Sequence, residues 1–144
     1  MLDRLHDSHN RQERNRIIQV IVKIGTPAIH PVIERFQQQG PWYYRRNLVL
    51  LLGRIGSQEV VKVLAPLIGI EDLRIQREVI LAMGNIGGTD AGNSLVSKLS
   101  SVDDEIKGLI ISVLGTMKYQ DAGPELIHIL ESKAADTSKK TKNV

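Results

Sequence analysis

The chain has 144 residues, a length that suits one domain, with 42% hydrophobic residues but only 3% aromatic ones and no cysteine. Its core must be built from Leu, Ile, Val and Ala, a composition that leans toward helices packed on helices, and disulfides and thiolate metal sites are excluded. The formal net charge is +3. From Glu131 onward, four lysines against two acids contribute +2, so the body before it carries about +1 (3 − 2) and lacks the bulk charge of a nucleic-acid-binding face.

The first residues, MLDRLHDSHNRQERNR, are too polar for a signal peptide, and no apolar run approaches the ~20 residues of a membrane span. A cytoplasmic protein with no membrane contact is expected. His6 and His9 are three apart and could share a helix face as metal ligands, but no third ligand stands near them. This start is expected to be a frayed N-terminal turn.

From residue 10 a period sets in. Ile24-Gly25 returns as Ile55-Gly56 and as Ile86-Gly87, and Met117-Lys118 takes the fourth place. The intervals are 56 − 25 = 31, 87 − 56 = 31 and 118 − 87 = 31. In register the stretches read IIQVIVKIG, LVLLLGRIG, VILAMGNIG and IISVLGTMK. Each carries apolar residues at i, i+3, i+4 and i+7, as in Leu48, Leu51, Leu52 and Ile55, or Val79, Ala82, Met83 and Ile86. That spacing predicts a helix with a buried face.

A second helix is predicted after each turn. Its apolar residues are Ile29, Ile33 and Phe36; Val60, Leu64 and Leu67; Ala91, Leu95 and Leu99; and Ala122, Leu126 and Leu130. Gly25, Gly56 and Gly87 suit a left-handed helix stop, and Pro27 suits a first helical turn. Lys118 breaks the glycine pattern. Helices this short are marginal alone in water, but a stack of pairs buries what one pair cannot.

The fold class expected is therefore all-α: a short α-solenoid of four helix pairs over residues 1–131. The units are 10–40, 41–71, 72–102 and 103–131, and a disordered basic tail covers 132–144. Gly53, Gly84 and Gly115 form a further column inside the first helices. A glycine there costs about 1 kcal/mol relative to alanine, so close approach of a neighbouring helix is expected to offset it. Val22, in the same column, suits an end helix without that neighbour.

YRRNLVLLLGRIG and IQREVILAMGNIG, at this spacing, resemble HEAT repeats, specifically the short bacterial HEAT-like or phycobilisome-lyase type. The resemblance covers about residues 10 to 131. The family pattern places an Arg about eleven residues before the Gly turn. Arg14, Arg45 and Lys107 fit it, and Gln76 departs. The resemblance specifies a fold more than an activity.

The stretch GPWYYRRN, residues 40 to 47, can be sorted by register. Tyr44 falls in an apolar column and should be core; Tyr43 falls in a polar column and should be exposed; Trp42 should be half-buried. The stretch is either a repeat junction with one large packing residue, or a recognition edge of Trp42 and Tyr43 with Arg45 or Arg46 beside them, residue types enriched in binding hot spots. On the second helices Glu34, Arg35, Lys62, Asn93, Ser97 and His128 fall off the core columns and are candidate contacts. His30 reads as a surface residue.

Asp72 and Asp103 each precede by four a residue of the next helix, Gln76 and Lys107, and should cap or bridge the turns between units. SVDDEIK places carboxylates at the positive end of a helix dipole. GNIGGTDAG lacks the strand a nucleotide loop would follow and reads as a helix–helix turn.

No catalytic set, cofactor site or metal site is evident. The expected function is a non-enzymatic protein–protein interaction scaffold or adaptor with another protein as partner, or a piece of a longer array. Ile127, Ile129 and Leu130 widen the last helix's apolar stripe, which suggests self-association through terminal helices. The resemblance implies two alternatives: a subunit of a phycobilin-type lyase or other enzyme complex, and a HEAT-like DNA-binding or DNA-glycosylase-type protein. The near-neutral body and single Trp speak against nucleic acid.

Overall fold

The structure, a computed structural model, describes residues 1–7 and 10–117. Among the described residues are eight α-helices and no strand: α1 (Leu2–Asp7), α2 (Arg11–Ile24), α3 (Ile29–Gln37), α4 (Trp42–Ile55), α5 (Glu59–Leu64), α6 (Leu73–Ile86), α7 (Thr89–Ser97) and α8 (Asp104–Thr116). The first helices α2, α4, α6 and α8 start at 11, 42, 73 and 104, each 31 residues after the last (42 − 11 = 31). They pack side by side in one layer; α3, α5 and α7 pack against them in a second. The fold is an all-α, solenoid-like stack. His9, Lys118, the helix expected at 119–131 with Ile127, His128, Ile129 and Leu130, and the tail 132–144 lie outside the described residues.

Local chemistry sets the helix ends. Asn10 caps α2, its side chain accepting from the Gln12 N–H at 2.8 Å. Asp72 caps α6, accepting from the N–H groups of Arg74 at 2.9 Å and Ile75 at 3.4 Å. Such caps satisfy N–H groups that have no partner within the helix. Asp103 departs from expectation: it stands at the N-cap of α8 with no side-chain hydrogen bond, and Lys107 pairs instead with Asp104 at 3.5 Å. Gln76 turns inward, donating to the Ile68 carbonyl at 2.7 Å.

The three turn glycines are not one motif. Gly56 is left-handed (φ 77°, ψ 16°). Gly25 (φ 74°, ψ −137°) and Gly87 (φ 70°, ψ −169°) share the positive φ but have extended ψ. After these two, the next helical turn begins within two residues, at Thr26 and Thr89. Gly56 is followed by Ser57 and Gln58 before α5, and a tighter stop fits that longer link. Pro27 sits in a 3-10 turn, Thr26–Ala28, that leads into α3.

The expected core columns are buried in the inner first helices, where Leu48, Val79 and Met83 are 0% exposed and Leu52 is 1%. Fully burying one such side chain contributes about 1.5–3 kcal/mol. Ile55 and Ile86 are only half-buried. In α2, Val20 and Ile24 of the same columns are exposed, because no first helix among the described residues packs in front of them. The second helices differ in phase. In α3, Val32 is buried and Ile33 only half-buried. In the second unit Ile68 replaces Leu67 in the core. There Pro66 lacks an N–H and residues Ala65–Gly69 wind as a 3-10 helix. Three residues per turn rather than 3.6 rotates Ile68 inward.

The glycine column works as close contact at two places. A Cβ on Gly53 would lie 2.6 Å from Ala82 Cβ, and one on Gly84 would lie 2.5 Å from Val113 Cγ1. Nothing among the described residues lies within 4 Å of a Cβ on Gly115. Val22 was expected to mark a missing neighbour. That neighbour is present as α4, but α2 packs against it less closely than α4 against α6, and Val22 is half-buried.

The N-terminus also departs from expectation. It is a helix, not a frayed turn: Leu5 is 2% exposed, α1 packs on α2, and His6 meets the Tyr44 ring edge-on at 4.7 Å. A single buried leucine offsets the polarity of this short helix.

Candidate functional site

Two surfaces contain the residues singled out from the sequence. The first is the start of α4. Pro41 precedes it with ψ at 143°, and the helix opens on three aromatic residues. Tyr44 is buried (4% exposed), Trp42 is half-buried and Tyr43 is 37% exposed. Burial pushes the Tyr44 phenol above its usual range, with Arg35 nearby opposing the shift. Among the described residues the phenol oxygen has no hydrogen-bond partner.

The two arginines part company. Arg46 stays beside Trp42, its guanidinium carbon 5.2 Å from the ring centroid. Arg45 turns the other way, over the Phe36 ring at 4.2 Å. There it lines a recess of about 220 Å³ with Ile33, Val49 and Leu67. Of the two arginines, Arg46 is therefore the one that stands with Trp42 and Tyr43, and Arg45 belongs to the seam between the first two units.

Sequence reasoning missed Arg74. Its guanidinium lies over Trp42 at 3.9 Å, closer than Arg46, and donates to Asp72 at 2.9 Å. The stack Arg46–Trp42–Arg74–Asp72 ties the starts of α4 and α6 together. The signal was in the register: Arg74 falls 31 residues after Tyr43, so it opens the next first helix beside this one. Trp42 therefore already carries cation–π partners from its own chain.

The second surface lies between α5 and α7. Lys62, Asn93 and Ser97, each off the core columns, are exposed and line one groove of about 680 Å³ with Pro66, Ser94 and Lys98. Ser97 Oγ donates to the Ser94 carbonyl at 2.8 Å. Glu34 and Arg35 lie elsewhere, on α3. Glu34 pairs with His30 at 3.3 Å, and Arg35 forms an ion pair with Asp3 of α1, which holds the N-terminal helix down. His128 lies outside the described residues.

Among the described residues no three His, Asp or Glu side chains are grouped to hold a metal ion, and no single helix is long and apolar enough to cross a membrane. What these surfaces offer is a charged, aromatic-studded outer seam and an open groove.

A family model described as HEAT repeats matches residues 29–99, from α3 to the end of the third unit. The matched span, just under half of the chain, is built of HEAT repeats. Its helix pairs, 31-residue spacing and inter-unit glycine contacts are the HEAT architecture in a short array. No curated protein matches the chain. Both candidate surfaces bear on the matched span: the groove lies within it, and the Trp42 stack links two of its units.

Proposed function

We propose that this HEAT array is a protein-interaction scaffold with no chemistry of its own, and that it holds an extended segment of a partner protein in the groove between α5 and α7. The observation that carries this reading is the convergence of Lys62, Asn93 and Ser97, from two repeat units, on one open groove. Repeat stacks present neighbouring second helices as a continuous binding surface. The floor supplies apolar contact from Val61, Ala65 and Pro66. Among the described residues that line the groove, Lys62 and Lys98 outnumber the one carboxylate, Asp90, and favour a segment of net negative charge.

Affinity capture with the full chain tests the proposal. Ser97→Tyr should fill the groove, Lys62→Glu should reverse its charge, and both should lose the captured partner while the thermal unfolding midpoint holds. Unchanged capture by both variants would refute the groove. Loss caused only by Trp42→Ala or Tyr43→Ala would move the site to the start of α4.

A further inference from the structure

Helix α1 occupies the place of a second helix in a unit whose first helix has no counterpart among the described residues. Leu5 precedes Phe36 by one repeat (36 − 5 = 31), and both are buried. α1 packs on α2 as α3 packs on α4, and Asp3 ties it to Arg35 of α3.

In every later unit a preceding first helix covers one line of side chains. On α4 the line is Asn47, Leu51 and Ile55; on α6 it is Glu78, Ala82 and Ile86; on α8 it is Leu109, Val113 and Met117. All nine are buried or half-buried. The same line on α2 is Arg16, Val20 and Ile24, and all three are exposed, Val20 at 43% and Ile24 at 51%. An apolar recess of about 320 Å³, lined by Met1, Ile24, Pro27 and Pro31 among others, runs beside it.

We infer that this end of the stack is a docking site for one amphipathic α-helix of a partner protein, with a glycine or alanine opposite Val20 and carboxylates opposite Arg16. The geometry comes from the interface already repeated inside the array. Val20 stands in the column of Ala82 and Val113 (82 − 20 = 62, two repeats), which meet Gly53 and Gly84 of the helix in front. A larger residue opposite Val20 would hold the helices apart.

The charge follows the same register. Glu78, in the column of Arg16, lies in the field of Arg46 and Arg54 from the preceding helix. At Arg16 the sign is reversed, so the incoming helix should be acidic where α4 has those arginines. A second copy of this chain matches poorly. Its α8 would bring Gly115 to Val20, but Gly108 and Thr116 stand in the Arg46 and Arg54 columns, and neither has a charge. The site is separate from the α5–α7 groove, and the binding mode is a helix laid in an apolar groove.

The probe is a lactam-stapled peptide with the sequence of residues 73–86, carrying Arg77→Glu and Asn85→Glu. These are the columns of Arg46 and Arg54, and Gly84 is kept to face Val20. Fluorescence anisotropy with the full chain should show saturable binding. Val20→Asp in the chain, or Gly84→Leu in the peptide, should weaken it by about tenfold or more, equal to ~1.4 kcal/mol. Arg16→Glu should reverse the preference for the acidic peptide over the Arg77 parent. Circular dichroism checks that the chain variants stay folded. Absence of saturable binding, or binding indifferent to Val20→Asp and Gly84→Leu, would overturn the inference. So would a Val20-dependent dimer that forms in place of the peptide complex.

Discussion

A Cβ built on Gly84 would stand 2.5 Å from Val113 Cγ1, and one on Gly53 would stand 2.8 Å from the Cα of Ala82. The obstructions differ in kind: a side-chain methyl in one case, backbone in the other. On helix propensity alone, alanine should stabilise either site by about 0.5–1 kcal/mol. Overpacking of this kind costs about 1–3 kcal/mol. Gly53→Ala should therefore destabilise the array, because α4 and α6 must separate. Gly84→Ala should cost less and be rescued by Val113→Ala. Gly115→Ala, with nothing described near it, should be neutral or stabilising. Urea denaturation of the three variants gives the order, and equal effects at all three sites would remove the close-approach argument.

Leu52 tests the core register. It is 1% exposed, whereas Leu81 on the next first helix is 44% exposed. Leu52→Ala should cost about 2–5 kcal/mol, as large-to-small core changes do. Leu81→Ala should stay within about 0.5 kcal/mol. A loss under about 1 kcal/mol at Leu52 would mean that the apolar columns are wrongly aligned.

These two tests probe the part of the fold that was legible in the sequence. Fourteen-residue helices with a repeated apolar face, such as Trp42–Ile55 and Leu73–Ile86, declare their period plainly. The glycine column was legible because glycine inside a helix needs a reason. The rest depended on context that periodicity does not encode. α1 has six residues and one buried leucine, too few to show a period. The phase of the second helices turned on one 3-10 segment around Pro66. At the start of α4, adjacency in sequence suggested a cluster. But neighbours on a helix point about 100° apart, so Arg45 joined Phe36 and Trp42 took its nearest cation from the next unit.

Asp72 gives a prediction for low pH. Hydrogen bonds from the Arg74 side chain, and then from backbone N–H groups, hold its carboxyl at about 2, below the reference 3.8. A depressed carboxylate contributes stability that is present above 3.8 and lost as pH falls through about 2. Asparagine keeps the cap geometry without the charge. Asp72→Asn should therefore be less stable than the parent near neutral pH, and the gap should close between 3.8 and about 2. Denaturation curves across that range check it. A gap that persists unchanged at the acid end would show that the carboxylate charge is not what stabilises α6.

Glu78 should behave with the opposite sign. Half-buried between α4 and α6, its carboxyl is pushed above the reference 4.5 by desolvation, with Arg46 and Arg54 pulling it back. A raised carboxyl contributes stability fully present below 4.5, and that contribution is lost as pH rises through the higher folded value. Glu78→Gln removes the buried charge and keeps the shape. The variant should be at least as stable as the parent at neutral pH, and the advantage should vanish below 4.5. If instead Glu78→Gln weakens the array at neutral pH, attraction to Arg46 and Arg54 outweighs desolvation.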